Sequence, residues 1–379
     1  MLRQVGQMMH NHLYFFCVIG FPILVTFFFV DIMKDGLPTN LPTGIVDLDN
    51  STTSRSMIRH LDAMQLVNVT KFYPNVSEAR KGVQRGEVYG FFYFPMGVDN
   101  DLKASRQPKV SFYYNGGFLL AGSMLYKSMR TEATLGSANV GMRKLAALGK
   151  TEKEIKAFLQ PIVVDTHLTN NPTLDYNVYL TTSLVPTCIA LFIFLITAYS
   201  FGMELKFNRS KVWISNAKHN IYLAVLGKML PITILFTIIV WGYLIWVYGF
   251  MDFPCACNPI LLFVNGFLLV LASEGLAMFI FGIFPSLRMS LSICALWSVL
   301  SFSVSGFTFP VEAMDAPLQV LTWLFPMRCH FMIYQLVVLN GYPLSSAWLY
   351  YVVMFAYMLL PFLVLPRIKH VMETYVYIP

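Results

Sequence analysis

A carboxylate stands in the middle of a long apolar run, within Leu271-Ala-Ser-Glu-Gly-Leu-Ala277. A lone charge in hydrocarbon costs about 2.5–3.5 kcal/mol on insertion scales, so Glu274 is expected to face the protein interior and find a partner, or to carry a proton. The small residues beside it favour close helix packing on that face. Two interpretations stay open: a hydrogen-bonded packing residue, or part of a substrate path or coupling switch.

Three cysteines are candidates for redox chemistry. Cys255-Ala-Cys257 lies in a short loop between apolar runs, and Cys329 is predicted on the same side of the membrane. In an oxidising compartment two of the three can pair, although spacing alone does not fix the geometry that a disulfide needs. Because no paired Cys-x-x-Cys motif is present in the sequence, no metal site is predicted.

One tripeptide suggests nucleotide binding, since Gly149-Lys150-Thr151 matches the end of a phosphate-binding loop. The first glycine of that motif would fall at Lys144, so a corner between two helices is the better interpretation. The sequence also lacks a Gly-x-Ser-x-Gly elbow and a His-Glu-x-x-His zinc helix, and His60 and His167 are interpreted as structural or surface residues. We therefore predict no catalytic residue, no cofactor bound by this chain and no nucleic-acid partner.

The composition indicates a membrane protein. Of 379 residues, 56% are hydrophobic and 12% charged, whereas soluble proteins average about 25% charged residues. This composition excludes a purely soluble enzyme. The first apolar run, Leu13–Val30, is longer than the core of a signal peptide, which predicts an uncleaved membrane helix that is kinked or started at Pro22.

Six apolar runs are predicted to cross the membrane as helices, since each approaches or exceeds the roughly 20 residues needed. After Leu13–Val30 they are Tyr179–Met203, Ile221–Phe250, Pro259–Phe284, Met289–Phe309 and Trp348–Leu365. The segment 310–347 is amphipathic and interrupted by prolines, so a re-entrant or interfacial hairpin is expected there.

The positions of Lys and Arg predict the orientation, because short cytoplasmic loops accumulate them. With both termini cytoplasmic, the short outer loops contain Arg328. The inner side then has these basic residues: Arg3, Lys206, Arg209, Lys211, Lys218, Lys228, Arg288, Arg367 and Lys369. Residues 31–178 therefore face the extracytoplasmic side.

This long loop has the composition of a soluble α/β domain. Strands are predicted at Thr43–Asp49, Leu66–Tyr73, Gly86–Phe94 and Lys109–Tyr114, and helices at Asn50–Leu61, Phe118–Leu148 and Glu152–Leu159. The chain thus divides into 1–30 (N-terminus and first span), 31–178 (α/β domain) and 179–379 (spans two to six). The fold class is a polytopic α-helical membrane protein with six transmembrane helices, re-entrant outer helices and an α/β domain between helices one and two.

Four stretches together resemble permeases of ABC-2 type exporters that have a large extracytoplasmic domain between the first two helices. They are Ile45-Val-Asp-Leu-Asp-Asn-Ser-Thr-Thr-Ser-Arg55, Gln84-Arg-Gly-Glu-Val-Tyr-Gly-Phe-Phe-Tyr-Phe-Pro95, the segment 171–180, and Ser305-Gly-Phe-Thr-Phe-Pro-Val-Glu-Ala-Met314 with Leu324-Phe-Pro-Met-Arg328. The resemblance covers nearly the whole chain.

The resemblance implies a half-transporter, in which two permease subunits enclose a pathway and each docks a separate cytoplasmic ATPase that binds ATP and Mg. It places the coupling helix in the cytoplasmic loop 204–220 and matches Gly227-Lys228 to the family's Gly-Lys at the start of span three. The implied coupling residues are Glu204, Lys206, Arg209, Lys211, Trp213 and Lys228. The implied outer re-entrant helices include Gly306, Pro310 and Pro326.

The expected function is export of an amphipathic, drug-like or lipid-like substrate across a bacterial inner membrane, with contacts to membrane lipid. The partners implied are the ATPase, a second permease subunit that is either the same chain or a sister chain, and the periplasmic adaptor and outer-membrane channel proteins with which close relatives often work. An extracytoplasmic binding or sensing scaffold without transport is the alternative. An ion-coupled secondary transporter ranks last, because it would need more intramembrane ionisable residues than Glu274 and usually an internal repeat.

Overall fold

The computed structural model describes residues 3–6, 12–34, 36–104, 106–161, 167, 171 and 175–374. Residues 172–174, which belong to the resemblance segment 171–180, lie outside this part. The chain forms two compact units. One is the inserted domain, Leu37–His167, and the other joins the residues before and after it.

The inserted domain is built on a four-stranded mixed sheet with the order β2-β1-β3-β4. Strands β1 and β2 and strands β1 and β3 are parallel, whereas β3 and β4 are antiparallel. The strands are β1 (Leu41–Asp47), β2 (Val67–Phe72), β3 (Gly90–Phe94) and β4 (Ser111–Tyr114). All four were predicted, with ends that differ by a few residues.

Helices cover both faces of this sheet. The domain contains α2 (Thr52–Asp62), α3 (Val76–Gln84), α4 (Val98–Lys103), α5 (Leu119–Ala147) and α6 (Glu152–Leu159). Ile45 of β1 packs with residues of α2 and α5 on one face, and Val46 packs with Ala79 of α3 on the other. This division follows from strand geometry, in which successive side chains point to opposite faces.

The second unit is helical and membrane-embedded. Helix α1 has three consecutive parts, His12–Phe15, a π-helical turn Phe16–Gly20 and Phe21–Ile32. The later long helices are α7 (Tyr176–Lys206), α9 (Ile221–Ile245, extended by a π-helical turn to Phe250), α10 (Pro259–Ile283), α11 (Leu287–Val304) and α14 (Trp348–Thr374). These five are long and apolar enough to cross a membrane. The apolar part of α1 is shorter, so the count of six spans stays a prediction.

The segment 310–347 is built from short helices. They are a 3-10 turn Val311–Ala313, α12 (Ala316–Leu321), a second 3-10 turn Thr322–Leu324, α13 (Pro326–Ile333) with a π-helical turn to Leu339, and a third 3-10 turn Leu344–Ala347. None of them reaches the length of a membrane span. This breakage is the one predicted from the prolines.

Helix α7 is central to the helical unit and packs against α11, α10 and α1. Helix α10 packs most extensively against α14. Glycine permits this contact, because a Cβ at Gly275 would overlap the carbonyl oxygen of Tyr357 in α14, and one at Gly282 would contact Val364. Small residues at such positions allow helix backbones to approach closely in membranes.

Candidate functional site

A short helix, α8 (Ser210–Asn216), connects the spans α7 and α9. Helix α7 ends because Asn208 adopts a left-handed conformation (φ 51°), which lets the Arg209 N–H donate to the Glu204 carbonyl oxygen at 2.9 Å. Helix α8 ends in the same way: His219 donates to the carbonyl oxygen of Ile214, and Lys218 has φ 53°. Both ends follow the Schellman pattern, which satisfies terminal carbonyl groups. The two turns therefore fix α8 between the spans.

A buried ion pair joins the two spans beside α8. The Lys228 Nζ of α9 lies 2.8 Å from the Glu204 Oε1 of α7, and both side chains are about 3% exposed. The Arg3 guanidinium donates to the other carboxylate oxygen, Oε2, at 2.8 Å. One carboxylate thus faces two cations, which offsets its desolvation and the unfavourable position of a negative charge near a helix C-terminus.

Gln4 completes this arrangement. Its side-chain oxygen accepts from Lys228 at 3.2 Å, and its amide nitrogen donates to the Tyr14 hydroxyl at 2.9 Å and to Ser200 at 3.3 Å. Arg3, Gln4, Glu204 and Lys228 are called the ion cluster below. Through Gln4 and Arg3, the start of the chain is bound to both α7 and α9.

The inner face of α8 packs against the ion cluster. The Trp213 ring lies 5.4 Å from Lys228 Nζ, within the range of a cation–π contact, and 5.9 Å from the Phe201 ring. Trp213 is 7% and Ile214 1% exposed. The position of α8 is therefore coupled to the ion pair between the two spans.

The opposite side of this connection is exposed. We call Lys206, Phe207, Arg209, Lys211 and Val212 the basic face, all of which are exposed. The Phe207 ring is half exposed and has the charged groups of Lys206 and Arg209 within 6 Å of its centre. An apolar centre surrounded by cations suits a contact with an acidic protein surface or with anionic headgroups.

The structure separates the six residues of the predicted coupling set into two groups. Lys206, Arg209 and Lys211 are on the basic face, whereas Glu204, Trp213 and Lys228 are buried in or against the ion cluster. Sequence reasoning missed Gln4, and it counted Arg3 as a loop charge. Their contacts with Glu204 and Lys228 bridge about 200 residues, so local spacing gave no signal for them.

Glu274 is buried on α10, at 4% exposure. Its Oε2 accepts a hydrogen bond from the Thr233 hydroxyl of α9 at 2.7 Å, while Oε1 has no hydrogen-bond partner among the described residues. Glu274 is thus buried and has one hydrogen-bond partner on the neighbouring helix. Its role stays a prediction.

Gly306, one of the residues implied for the outer re-entrant helices, lies against Arg328 of α13. This side chain is 6% exposed, and its Nη1 donates to the Ser305 carbonyl oxygen at the end of α11 at 3.0 Å. Gly306 (φ 91°) lies where any Cβ would overlap the Arg328 guanidinium. Pro310 precedes the first 3-10 turn and Pro326 begins α13. Together these residues join the end of α11 to α13.

The three candidate cysteines are thiols in the structure. The Sγ atoms of Cys255 and Cys257 are 3.6 Å apart, longer than a disulfide bond of about 2.05 Å. Cys329 is fully buried in α13. Across the described part of the chain, no group of three His, Cys, Asp or Glu side chains is arranged to hold a metal ion.

The bundle of apolar helices, with its inserted α/β domain, defines a polytopic membrane protein in which a short amphipathic helix is braced between two spans. The sequence matches the family model described as "ABC-2 family transporter protein" over residues 13–365. The chain therefore belongs to the ABC-2 transporter family, as the resemblance predicted. A comparison with curated proteins gave no match.

Membership of this family makes the chain a membrane-embedded transport subunit. Membrane subunits of the family typically work with an ATPase partner.

Proposed function

We propose that this chain is the permease subunit of an ATP-driven exporter, with ATP and Mg bound by a separate ATPase chain that docks on α8. The proposal rests on one observation: the segment made of α8 and the turn before it has one buried side and one exposed side. The inner side is fixed to the ion cluster by Trp213, and the basic face is open to a partner. A partner that displaces the basic face would therefore move α7 and α9 together.

ATP binding can shift the helices only through contacts that differ between the resting and ATP-bound states. A rigid connector meets this requirement better than a flexible loop. The Schellman turns at both ends of α8 and the buried Glu204–Lys228 pair supply that rigidity.

The proposed orientation places both termini and α8 in the cytoplasm of a bacterial cell and residues 31–178 outside the inner membrane. The exposed cations of the basic face agree with the positive-inside rule. The inserted domain would then face the compartment in which periplasmic adaptor and outer-membrane channel proteins lie.

A second permease subunit completes the pathway in this proposal. Helix α11 leaves most of its apolar surface uncovered, including Leu296 and Val299, each about 60% exposed. We infer an amphipathic, drug-like or lipid-like substrate, because the membrane helices that would line the pathway are rich in Phe, Met and Leu.

Purification of the tagged chain from its native membrane in mild detergent tests the proposal. We expect mass spectrometry to identify a P-loop ATPase in about equal amount. The double variant Phe207→Ala/Arg209→Ala should lose this ATPase while the chain stays folded. Arg288→Ala is the matched control, because Arg288 is exposed at the start of α11 on the same side of the membrane as α8.

Recovery of the chain without any ATPase would contradict the export function and favour a sensing or scaffold protein. Undiminished ATPase binding by the double variant would contradict the basic face as the docking site and leave the export function standing.

A further inference from the structure

A groove on the side of the helix bundle, between α9, α10 and α14, contains the Glu274 carboxyl group. We propose that this groove binds a protonated amine that has an apolar body, with the amine paired to Glu274. The inference rests on the proposed export function, because it names the substrate class, although its test does not require the ATPase.

The groove is large enough for such a molecule. Its cavity volume is about 800 Å³, which is within the range of about 300–1,000 Å³ typical of ligand pockets. Its walls are mainly aliphatic and aromatic, and they include Leu226, Ile234, Ile238, Phe267, Leu271 and Met278. Transfer of an apolar body from water into such a groove lowers its free energy.

The polar groups in this groove are unevenly satisfied. The Thr233 hydroxyl donates to Glu274 Oε2, and the Thr237 hydroxyl donates to the Thr233 carbonyl oxygen at 2.6 Å. Glu274 Oε1 keeps no hydrogen-bond partner among the described residues. The nearest candidate cation along α9, Lys228, is already held by Glu204 and Gln4. Among the described residues, Glu274 Oε1 is therefore a buried, unpaired acceptor in a side chain that lines an apolar groove.

The unpaired Glu274 Oε1 favours some occupants of the groove over others. A lipid tail or a second copy of this chain that presents an apolar helix would cover the groove but leave Oε1 unpaired, which costs free energy. A protonated amine donates an N–H to Oε1 and brings the opposite charge, and a charged hydrogen bond is stronger in surroundings of low dielectric. Charge complementarity thus favours a cationic amphiphile.

Equilibrium binding of radiolabelled N,N-dimethyldodecylamine to the full chain, in nanodiscs of phosphatidylcholine without nucleotide, tests this inference. The amine carries its proton at neutral pH, as a lysine does. Empty nanodiscs give the partition into lipid. We expect saturable binding to the chain, with the amine bound about tenfold more tightly than dodecanol, which has the same tail without the charge.

Glu274→Gln should weaken amine binding about tenfold and leave dodecanol binding unchanged. Thr187→Val is the matched control, because the Thr187 hydroxyl makes the same kind of bond, to the Ser183 carbonyl oxygen at 2.7 Å, in α7, which does not line the groove. We expect this variant to keep the preference for the amine. The comparison of the two ligands on the unmodified chain does not depend on the folding of any variant.

Equal affinities for amine and alcohol would overturn the inference, as would unchanged amine binding by Glu274→Gln or no binding above that of empty nanodiscs. Amine binding by a chain that recovers no ATPase would leave the groove assignment standing and contradict export. An ATPase complex that binds no amine would support export and contradict the groove assignment.

Discussion

The Lys228 ammonium group lies 2.8 Å from the Glu204 carboxylate, although the two residues are 24 positions apart and belong to different spans. The short helix α8 lies between them in the chain and packs its Trp213 over the lysine. This relationship makes the loop between two membrane helices a rigid part of the bundle. It also explains why a carboxylate is tolerated at the buried end of α7, since two cations offset the cost of removing it from solvent.

Removal of the shared carboxylate should destabilise the helical unit. Glu204→Gln leaves Lys228 and Arg3 without their anion, and breaking a buried pair by removing one partner costs about 3–5 kcal/mol. The thermal unfolding midpoint of the detergent-solubilised chain measures the effect. Glu373→Gln is the control, because Glu373 is an exposed carboxylate. Equal midpoints for both variants would contradict a structural role for the ion cluster.

Truncation of two neighbouring residues of α8 should change stability by very different amounts. Trp213→Ala removes a buried ring from the ion cluster, and truncation of a buried aromatic residue typically costs about 3–5 kcal/mol. Val212→Ala changes a side chain that is 56% exposed, so stability should change by less than about 0.5 kcal/mol. Thermal unfolding measures both, and a stable Trp213→Ala variant would show that α8 is not anchored by this ring.

A methyl group added at Gly275 should separate α10 from α14. Its Cβ would overlap the Tyr357 carbonyl oxygen, and overpacking of this kind costs about 1–3 kcal/mol. Gly242→Ala in α9 is the matched control, since no atom lies within 4 Å of its added Cβ. That change should be neutral or stabilising, by up to about 1 kcal/mol. Unfolding midpoints that move in the same direction would argue against close α10–α14 packing.

The stability of the inserted domain should depend on the ionisation of Glu132. Burial raises the pKa of this carboxyl group, and His60, with Nδ1 3.7 Å from Oε1, opposes the rise. Because the folded-state pKa is above the unfolded one, this residue favours folding at low pH and the contribution is lost as pH rises through the raised value. Glu132→Gln should therefore gain stability relative to the unmodified chain as pH rises above the unfolded pKa of a glutamate.

Glu87 supplies the opposite sign as a control for that pH dependence. Its carboxylate accepts from Lys71 at 2.9 Å, and this hydrogen bond lowers the pKa of Glu87. The stability from this pair is present above the unfolded value and lost as pH falls, so Glu87→Gln should lose stability at neutral pH. Thermal unfolding of the whole chain at several pH values separates the two cases. A Glu132→Gln variant whose stability has the same pH profile as that of the unmodified chain would rule out a raised pKa of Glu132.

The cysteines should react with a thiol reagent in an order set by exposure. Cys255 is exposed, whereas Cys329 is fully buried. Burial and the neighbouring Cys255 raise the pKa of the Cys257 thiol to about 12, so little thiolate forms at neutral pH. Maleimide labelling followed by mass spectrometry should modify Cys255 first. If Cys255 and Cys257 resist labelling until a reductant is added, these two cysteines form a disulfide instead.

Much of the architecture could be predicted because it depends on local patterns. The apolar run Ile221–Phe250 is a helix with those same ends, and helix Glu152–Leu159 was also predicted with its observed ends. Alternating and periodic apolar residues determine which face of a strand or helix is buried. Prolines in 310–347 likewise predicted a broken segment, because a proline lacks the N–H that a helix interior needs.

The sequence by itself determined the five long apolar helices, the α/β domain that precedes them in the chain and the family, all of which rest on composition, periodicity and local motifs. Only the tertiary structure decided which charges are paired. Lys206 and Lys228 are the same type of residue at two ends of one connection, yet Lys206 is exposed and Lys228 is buried against Glu204. The difference arises from the packing of α7, α8 and α9, which brings together residues far apart in the chain. The same packing leaves one oxygen of Glu274, which lines an apolar groove, without a hydrogen-bond partner in the part of the chain that the structure describes.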